Sequence, residues 1–314
     1  MATAHGSNFK LYVKEQTNAE TLATGDFVQL PVLSFGLTGS QALGSDDLLS
    51  AGIGRDGSDP YLETLTVGGE ASVPIDTVNF GYWLKMLLGP ATVTGTTDKV
   101  HVFTSGKTTL PDFTMEKAFP EVPSYDKYLG VKCGSMSFDI APTGPANATV
   151  GLMGLGETTT TTSGAGTPTL EAPQRFYRPS SYIKKDGATL GKVTGGRANL
   201  SNNMSGVQTV RADNRIEEVD YGNFTADGDL RVRFTTNDLK TQAMAGTPCA
   251  LEYGFQISPT KALKFEFPRV FLSRPGVQVS GPAGIELPIS WRAAFDPTVG
   301  SMVRVTLSNQ KASY

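Results

Sequence analysis

The chain is 314 residues long, with 39% apolar residues, only 18% charged residues, 35 glycines and 19 prolines. That length suffices for two domains of ordinary size, and the glycine and proline content favours many short strands over helices or disorder. A net charge of −3 excludes a general nucleic-acid binder, which needs a basic field to release counterions; it does not exclude a surface that DNA passes closely.

The opening MATAHGSNFK has no basic stretch leading into an apolar one, so no secretory leader is expected. No apolar run approaches the ~20 residues of a membrane span. The expectation is a chain made and folded in a cytoplasm, with no membrane role. Residues 1–30 carry the short strand-like KLYVKE and otherwise read as an N-terminal arm. The loop SDDLLSAGIGRDGSDP follows, holding Asp46, Asp47, Arg55 and Asp56. Asp56, Asp59 and Glu63 lack the spacing of a calcium loop, so a solvated turn is the better reading.

EASVPI then predicts a strand and DTVNFGYWLKMLLGP a helix. In that helix Phe80, Leu84 and Leu87 share one face, Asp76 or Thr77 caps it, and Gly89-Pro90 stops it. KVHVFTS, DFTMEKAF, YLGVKCGSMSFDIAPTG and NATVGLMG read as strands. The threonine run and Ser-Gly-Ala-Gly-Thr-Pro that come next have no side chains for a core and read as a connector. The chain therefore divides into a first β domain at 31–154, a connector at 155–174 and a second β domain at 175–314.

The second half tells the same story in the same order. DNRIEEVD alternates about Ile216 and Val219, which favours a strand with one charged face over the paired carboxylates of a glycosidase. DLRVRF leads into TTNDLKTQAMAGTP, where Leu239 and Ala243 share a face, Thr236 or Asn237 caps, and Gly246 with Pro248 stops the helix. ALEYGFQIS then answers to KVHVFTS, ALKFEFPRVFL to DFTMEKAF, the segment through ELPISWRAAFD to YLGVKCGSMSFDIAPTG, and SMVRVTLSN to NATVGLMG. The fold class is mainly β: two tandem β-sandwich-like units, each with one short flanking helix. In LKFEFPRVFL the alternation of Leu263, Phe265 and Phe267 breaks at Pro268. A proline cannot donate to a ladder and belongs on an edge strand or at a bulge.

Chemistry is sparse. The two histidines are His5, in the arm, and His101, in a strand, and Cys133 and Cys249 stand far apart in apolar surroundings. No metal-ligand spacing appears. Gly106-Lys107-Thr108 resembles the end of a phosphate-binding loop, but His101 stands where its first glycine is required, and GATLGKVTGG fails likewise. The expectation is no cofactor, no metal and no enzyme: a binding or structural protein.

The segments GGEASVPIDTVNFGYWLKMLLG and LPDFTMEKAFPEVPSYDKYLGVKCGSMSFDIAPTG in the first half, with FEFPRVFLSRPGVQVSGPAGIELPISWRAAFDP and GSMVRVTLSNQ in the second, carry a resemblance. From about Val28 to Gln310 the pattern resembles the tail tube proteins of long-tailed, siphovirus-like bacteriophages, of the two-domain kind. The first half departs from the second in having no equivalent of Trp291.

The resemblance implies a virion protein, assembled in the host bacterial cytoplasm. It would form stacked, trimeric rings whose bore delivers DNA without specific binding. Its implied partners are its own copies and the tape-measure, tail terminator and distal tail proteins. Under it, Glu217, Glu218 and Asp220 are expected to face the lumen, Phe265, Phe267 and Pro268 to lie at a subunit seam, and Asp46, Asp47, Arg55 and Asp56 to serve ring stacking. Two rivals of other classes stay open, a surface or fimbrial adhesion module of two β-sandwiches and a carbohydrate-active enzyme, and within the structural class so does a capsid decoration or bacterial secretion-tube protein.

Overall fold

Alternating apolar and polar residues build a curved, two-layer β structure. The computed structural model describes residues 3–46, 55–277, 281, 282 and 284–314. The first half runs through β1 (Lys10–Glu15), β2 (Val28–Gln29), β3 (Ser34–Phe35), β4 (Thr38–Ser40), β5 (Leu43–Gly44), β6 (Tyr61–Leu62) and β7 (Thr66–Pro74) to helix α1 (Phe80–Leu88). It continues with β8 (Thr92–Thr94), β9 (Lys99–Thr104), β10 (Phe113–Phe119), β11 (Ser124–Ile140), β12 (Asn147–Gly154), β13 (Gly156–Thr160) and β14 (Thr169–Leu170). The second half comprises β15 (Ser181–Lys185), β16 (Ala188–Thr189), β17 (Val193–Ser201), β18 (Ser205–Val207), β19 (Glu218–Asp220) and β20 (Thr225–Arg233) before helix α2 (Asp238–Ala245). Strands β21 (Cys249–Ser258), β22 (Lys261–Leu272), β23 (Glu286–Ala293) and β24 (Arg304–Asn309) follow it.

The strand pairings reveal a repeat, matched differently from the order read in the sequence. In the first half β1 pairs with β10, β10 with β11, β11 with both β12 and β13, β12 with β7, and β7 with β3 and β4. In the second half β15 pairs with β21, β21 with β22, β22 with both β23 and β24, β23 with β20, and β20 with β17. Hence β10, β11, β12 and β13 correspond to β21, β22, β23 and β24, and the hairpin β5–β6 corresponds to β18–β19.

KVHVFTS, which is β9, has no counterpart: it belongs to an inserted hairpin with β8 and pairs with β24 of the other half. Order alone cannot reveal an insertion that is itself a strand; pairing can.

Each half turns a corner on one long strand. β11 lies between β10 and β13 near its start and between β12 and β17 near its end, so it passes from one layer to the other. The bend falls at a bulge opposite Phe113 and Met115, where Gly130 takes φ +59°, a left-handed conformation that suits glycine. β22 bends likewise at a bulge between Phe267 and Val270, which contains Pro268. The proline therefore marks a corner and not an edge, because β22 is bonded to β21 on one side and to β24 and then β23 on the other.

The two halves share a core. Phe138 on β11 stacks against Phe265 of β22 at 4.2 Å and meets Tyr253 and Phe255 of β21 edge-on. Trp291 donates its indole N–H to the Tyr253 hydroxyl at 2.8 Å, and that hydroxyl donates to the Asp229 carbonyl. Both cysteines are buried, free thiols.

α1 starts after Asp76, whose Oδ1 accepts the N–H groups of Val78 and Asn79 at 2.7 and 2.6 Å, and it ends at Gly89 with φ +81°. Those bonds shape the turn ahead of the helix, whose N-cap position, Asn79, carries no side-chain cap bond, so neither Asp76 nor Thr77 caps α1 itself. α2 has no side-chain cap at Asn237 and ends at Gly246. The arm-like N-terminus is built into the sheet through β1, with Leu11 and Val13 in the core. The threonine-rich segment carries β13 and β14, the latter parallel to β2.

Candidate functional site

β3–β4, β7, β12, the end of β11, β17, β20 and β23 are joined in that order into one sheet spanning both halves. Alternation sends Ala71, Val150, Met136, Leu200, Leu230 and Ile289 inward to the core. The opposite face has no second layer among the described residues and is polar. Along β7, β12, the end of β11, β17, β20 and β23 its charged residues are Glu70, Asp139, Asp227, Asp229 and Glu286 against Arg197, Arg231, Arg233 and Arg292. The signs interleave. Arg197 Nε donates to Asn199 Oδ1 at 3.0 Å, Asn199 Nδ2 donates to Asp227 Oδ1 at 3.0 Å, and Arg231 Nε lies 3.8 Å from Asp229 Oδ2. Arg197 and Arg231 have an amide or carboxylate beside them, and Arg233 and Arg292 stand opposite Glu286 and Asp227 in the strand register, so the face offers no uncompensated row of cations to a polyanion.

Beside this face stands the hairpin β18–β19. Ile216 and Val219 pack it against Leu155, Met153 and Ala19, forming a small separate core. An ionic network locks its loop: Asp213 accepts from Arg211 Nε at 2.9 Å and Arg215 Nε at 2.6 Å, Arg211 also pairs with Glu217, and Arg215 reaches Glu20 of the N-terminal segment. Hydrogen bonds from Arg211 and Arg215 hold the Asp213 carboxyl well below its ordinary range, and those from Arg211 and Thr209 lower that of Glu217.

A family model described as phage tail tube protein matches residues 6–293. The chain belongs to that family. It is a structural component of the phage tail and not an enzyme, as the residues anticipated. Comparison with curated proteins returns no match.

In this tail tube protein the anticipated residues fall in three places. Glu217 is tied to Arg211, while Glu218 and Asp220 stand exposed on the outer side of β19, because Val219 between them points inward. Phe265 and Phe267 are fully buried within the subunit's own core, and Pro268 is half-buried at the corner. At Phe265 their strand is paired on both sides within the subunit, with β21 and with β24. Asp46, Arg55 and Asp56 are exposed at the ends of the loop joining β5 to β6, whereas Asp47 lies outside the described residues.

Residues without a role in chemistry are accounted for by packing. His101 is buried, its Nε2 3.1 Å from Asn309 Oδ1 and 3.0 Å from the Lys311 carbonyl, and burial lowers its pKa. Lys107 turns back onto the Pro90 carbonyl just beyond α1. What the sequence did not disclose is the polar sheet face itself. Its signal was the unbroken alternation in RANLS and DGDLRVR, where every second residue is polar; that pattern marks a strand but not which strands adjoin.

Proposed function

We propose that this tail tube subunit lines its channel with the polar face of the sheet running from β3–β4 to β23. Copies join side by side into rings, three chains giving six similar units, and the rings stack into the tube through which DNA passes. The observation that carries this reading is the interleaved ladder from Arg197 to Asp227 on a face that no layer of the described residues covers. DNA sliding past such a wall meets near-balanced charge and finds no site at which to stall. The two units are the repeat described above, with residues 161–180 leading from one to the other.

The hairpins β5–β6 and β18–β19 occupy equivalent places beside the sheet and carry exposed charge in both halves. They are suited to contact the next ring, with Asp46, Arg55 and Asp56 on one and Glu218 and Asp220 on the other. The partners beyond its own copies are a tape-measure protein within the bore, a terminator at one end and distal tail proteins at the other.

The test has two parts. A three-dimensional reconstruction of assembled tubes is expected to show Arg197, Asp227 and Asp229 at the bore. Phage carrying Asp227→Lys with Asp229→Lys are expected to build tubes of normal length but to eject DNA more slowly. A bore lined by other strands refutes the reading.

A further inference from the structure

Within the chain the two halves meet along one strand pair, Ser135 to Ile140 of β11 against Ser201 to Gly196 of β17. Just past β17, Asn202 donates its backbone N–H to the Gly134 carbonyl at 2.8 Å. Its side-chain Nδ2 donates to the carbonyls of Leu87 and Cys133 at 2.9 and 3.0 Å. The second half thus completes the edge of β11 and covers the end of α1.

The repeat gives every element of this joint a counterpart, and among the described residues no strand covers the counterparts. β17 corresponds to residues 34–40, which bond to β7 along one edge and to no strand along the other, among the described residues. The stretch of β11 that binds β17 corresponds to residues 273–277. These continue β22 past the last β21 pairing, Cys249 with Val270, and lie beside β23 through the Ser273 N–H to Ser290 carbonyl bond of 2.8 Å. On their other side the place that β17 takes against β11 holds no described strand. α1 buries eight of its nine residues, whereas α2 buries none and leaves Met244 exposed. The counterpart of Asn202 is Gln41, also a carboxamide.

Resting on the tube reading above, we propose that the joint between halves is repeated between copies: residues 34–40 of one subunit add, antiparallel, to residues 273–277 of the next, and Gln41 reaches the end of that neighbour's α2. A strand edge that no other strand covers on one rim and its complement on the opposite rim make a heterologous contact, which closes a ring when the rotation allows. Leu33, Leu43 and Leu62, exposed near the open edge, and Met244 on α2 would lose water together. In the free subunit side chains hold part of that edge: Glu157 Oε2 takes the Gly39 N–H at 2.6 Å and the Leu37 carbonyl accepts from the Tyr128 hydroxyl at 2.9 Å, each of them in place until a neighbour's strand competes for it.

The equivalence sets Ser40 opposite Ser273 or Arg274, as Ser201 stands opposite Ser135. Antiparallel neighbours lie within disulfide reach, and the native thiols are buried. Tubes of the full chain carrying Ser40→Cys with Ser273→Cys, or Ser40→Cys with Arg274→Cys, are expected to oxidise into a ladder of covalent oligomers that stops at the number of chains per ring. Each single variant is expected to stay monomeric on a non-reducing gel, and Ser137→Cys with Asn199→Cys is expected to close within one chain. Hollow tubes that cross-link with neither pair overturn the joint and leave the tube reading intact. Dimers from Ser40→Cys alone show edge-to-edge pairing and also overturn it. A chain that forms no ring under any condition overturns both.

Discussion

Replacing Phe138 by alanine tests whether the halves form one cooperative unit. Phe138 comes from the first half and is 3% exposed, yet its ring lies 4.2 Å from that of Phe265 and 6.3 and 6.2 Å from those of Tyr253 and Phe255, all in the second half. Deleting a buried phenyl ring costs about 3–5 kcal/mol, and each aromatic pair is worth about 0.5–1.5 kcal/mol of that beyond its area. The substitution removes the Phe138 ring from all three pairs at once, and β-sheet walls collapse poorly into the space it leaves, so the upper part of the range is expected. At about 2–4 °C per kcal/mol for chains somewhat shorter than this one, the melting temperature should fall by roughly 10 °C. Calorimetry of the subunit kept from assembling is the assay: one transition is expected in the parent and one, displaced, in the variant. Two separate transitions of which the substitution moves a single one, or a destabilisation under about 1 kcal/mol, would falsify the shared core.

Three further expectations test particular contacts. Burial raises the Asp76 carboxyl to about 6 against the pull of the Asn79 and Val78 N–H groups, and its Oδ2 has no partner. A folded value above the unfolded one costs stability above pH 6 and ceases to do so as pH falls from 6 toward 4. Asp76→Asn should therefore be more stable than the parent by up to about 3 kcal/mol at pH 8, with the gap closing toward pH 4; urea titrations that stay parallel across that range contradict it. At Gly228 a Cβ would overlap the Arg197 carbonyl oxygen and the Trp291 ring, so Gly228→Ala should cost about 3 kcal/mol or more, read as reduced soluble yield and a lowered melting temperature. Asn202→Ala leaves the Leu87 and Cys133 carbonyls without their donor and should cost about 1–3 kcal/mol by denaturant melts.

Strand character, both helices and their stops were legible because each rests on local rules. The glycine after α1 and the one after α2 adopt positive φ where the sequence placed the stops, and period-two alternation survives wherever one face meets a core. Pro268 shows where local rules end. Its missing N–H narrows the choice to an edge or a bulge, and selecting between them needs to know that β22 has partners on both sides. The aromatic residues around it signalled burial correctly, but burial within the subunit's own core.

The site was less legible because it is made of register, not of residue types. Asp227, Asn199 and Arg197 lie on two strands, and nothing in their spacing along the chain announces that the strands adjoin. The repeat was read as two tandem units, but which strands correspond was hidden for the same reason, since β8 and β9 shift the count of strands by two while the pairing scheme stays unchanged. What the two halves hold in common is which edge bonds to which, a property that sequence identity need not preserve. Divergent side chains can share it as long as bulges fall at the same corners, and those at Gly130 and Pro268 do. A glycine with positive φ and a proline that breaks a ladder are opposite residues that bend a strand at one place. Comparison of the halves by residue would count that position as a mismatch, although mechanically it is their closest agreement.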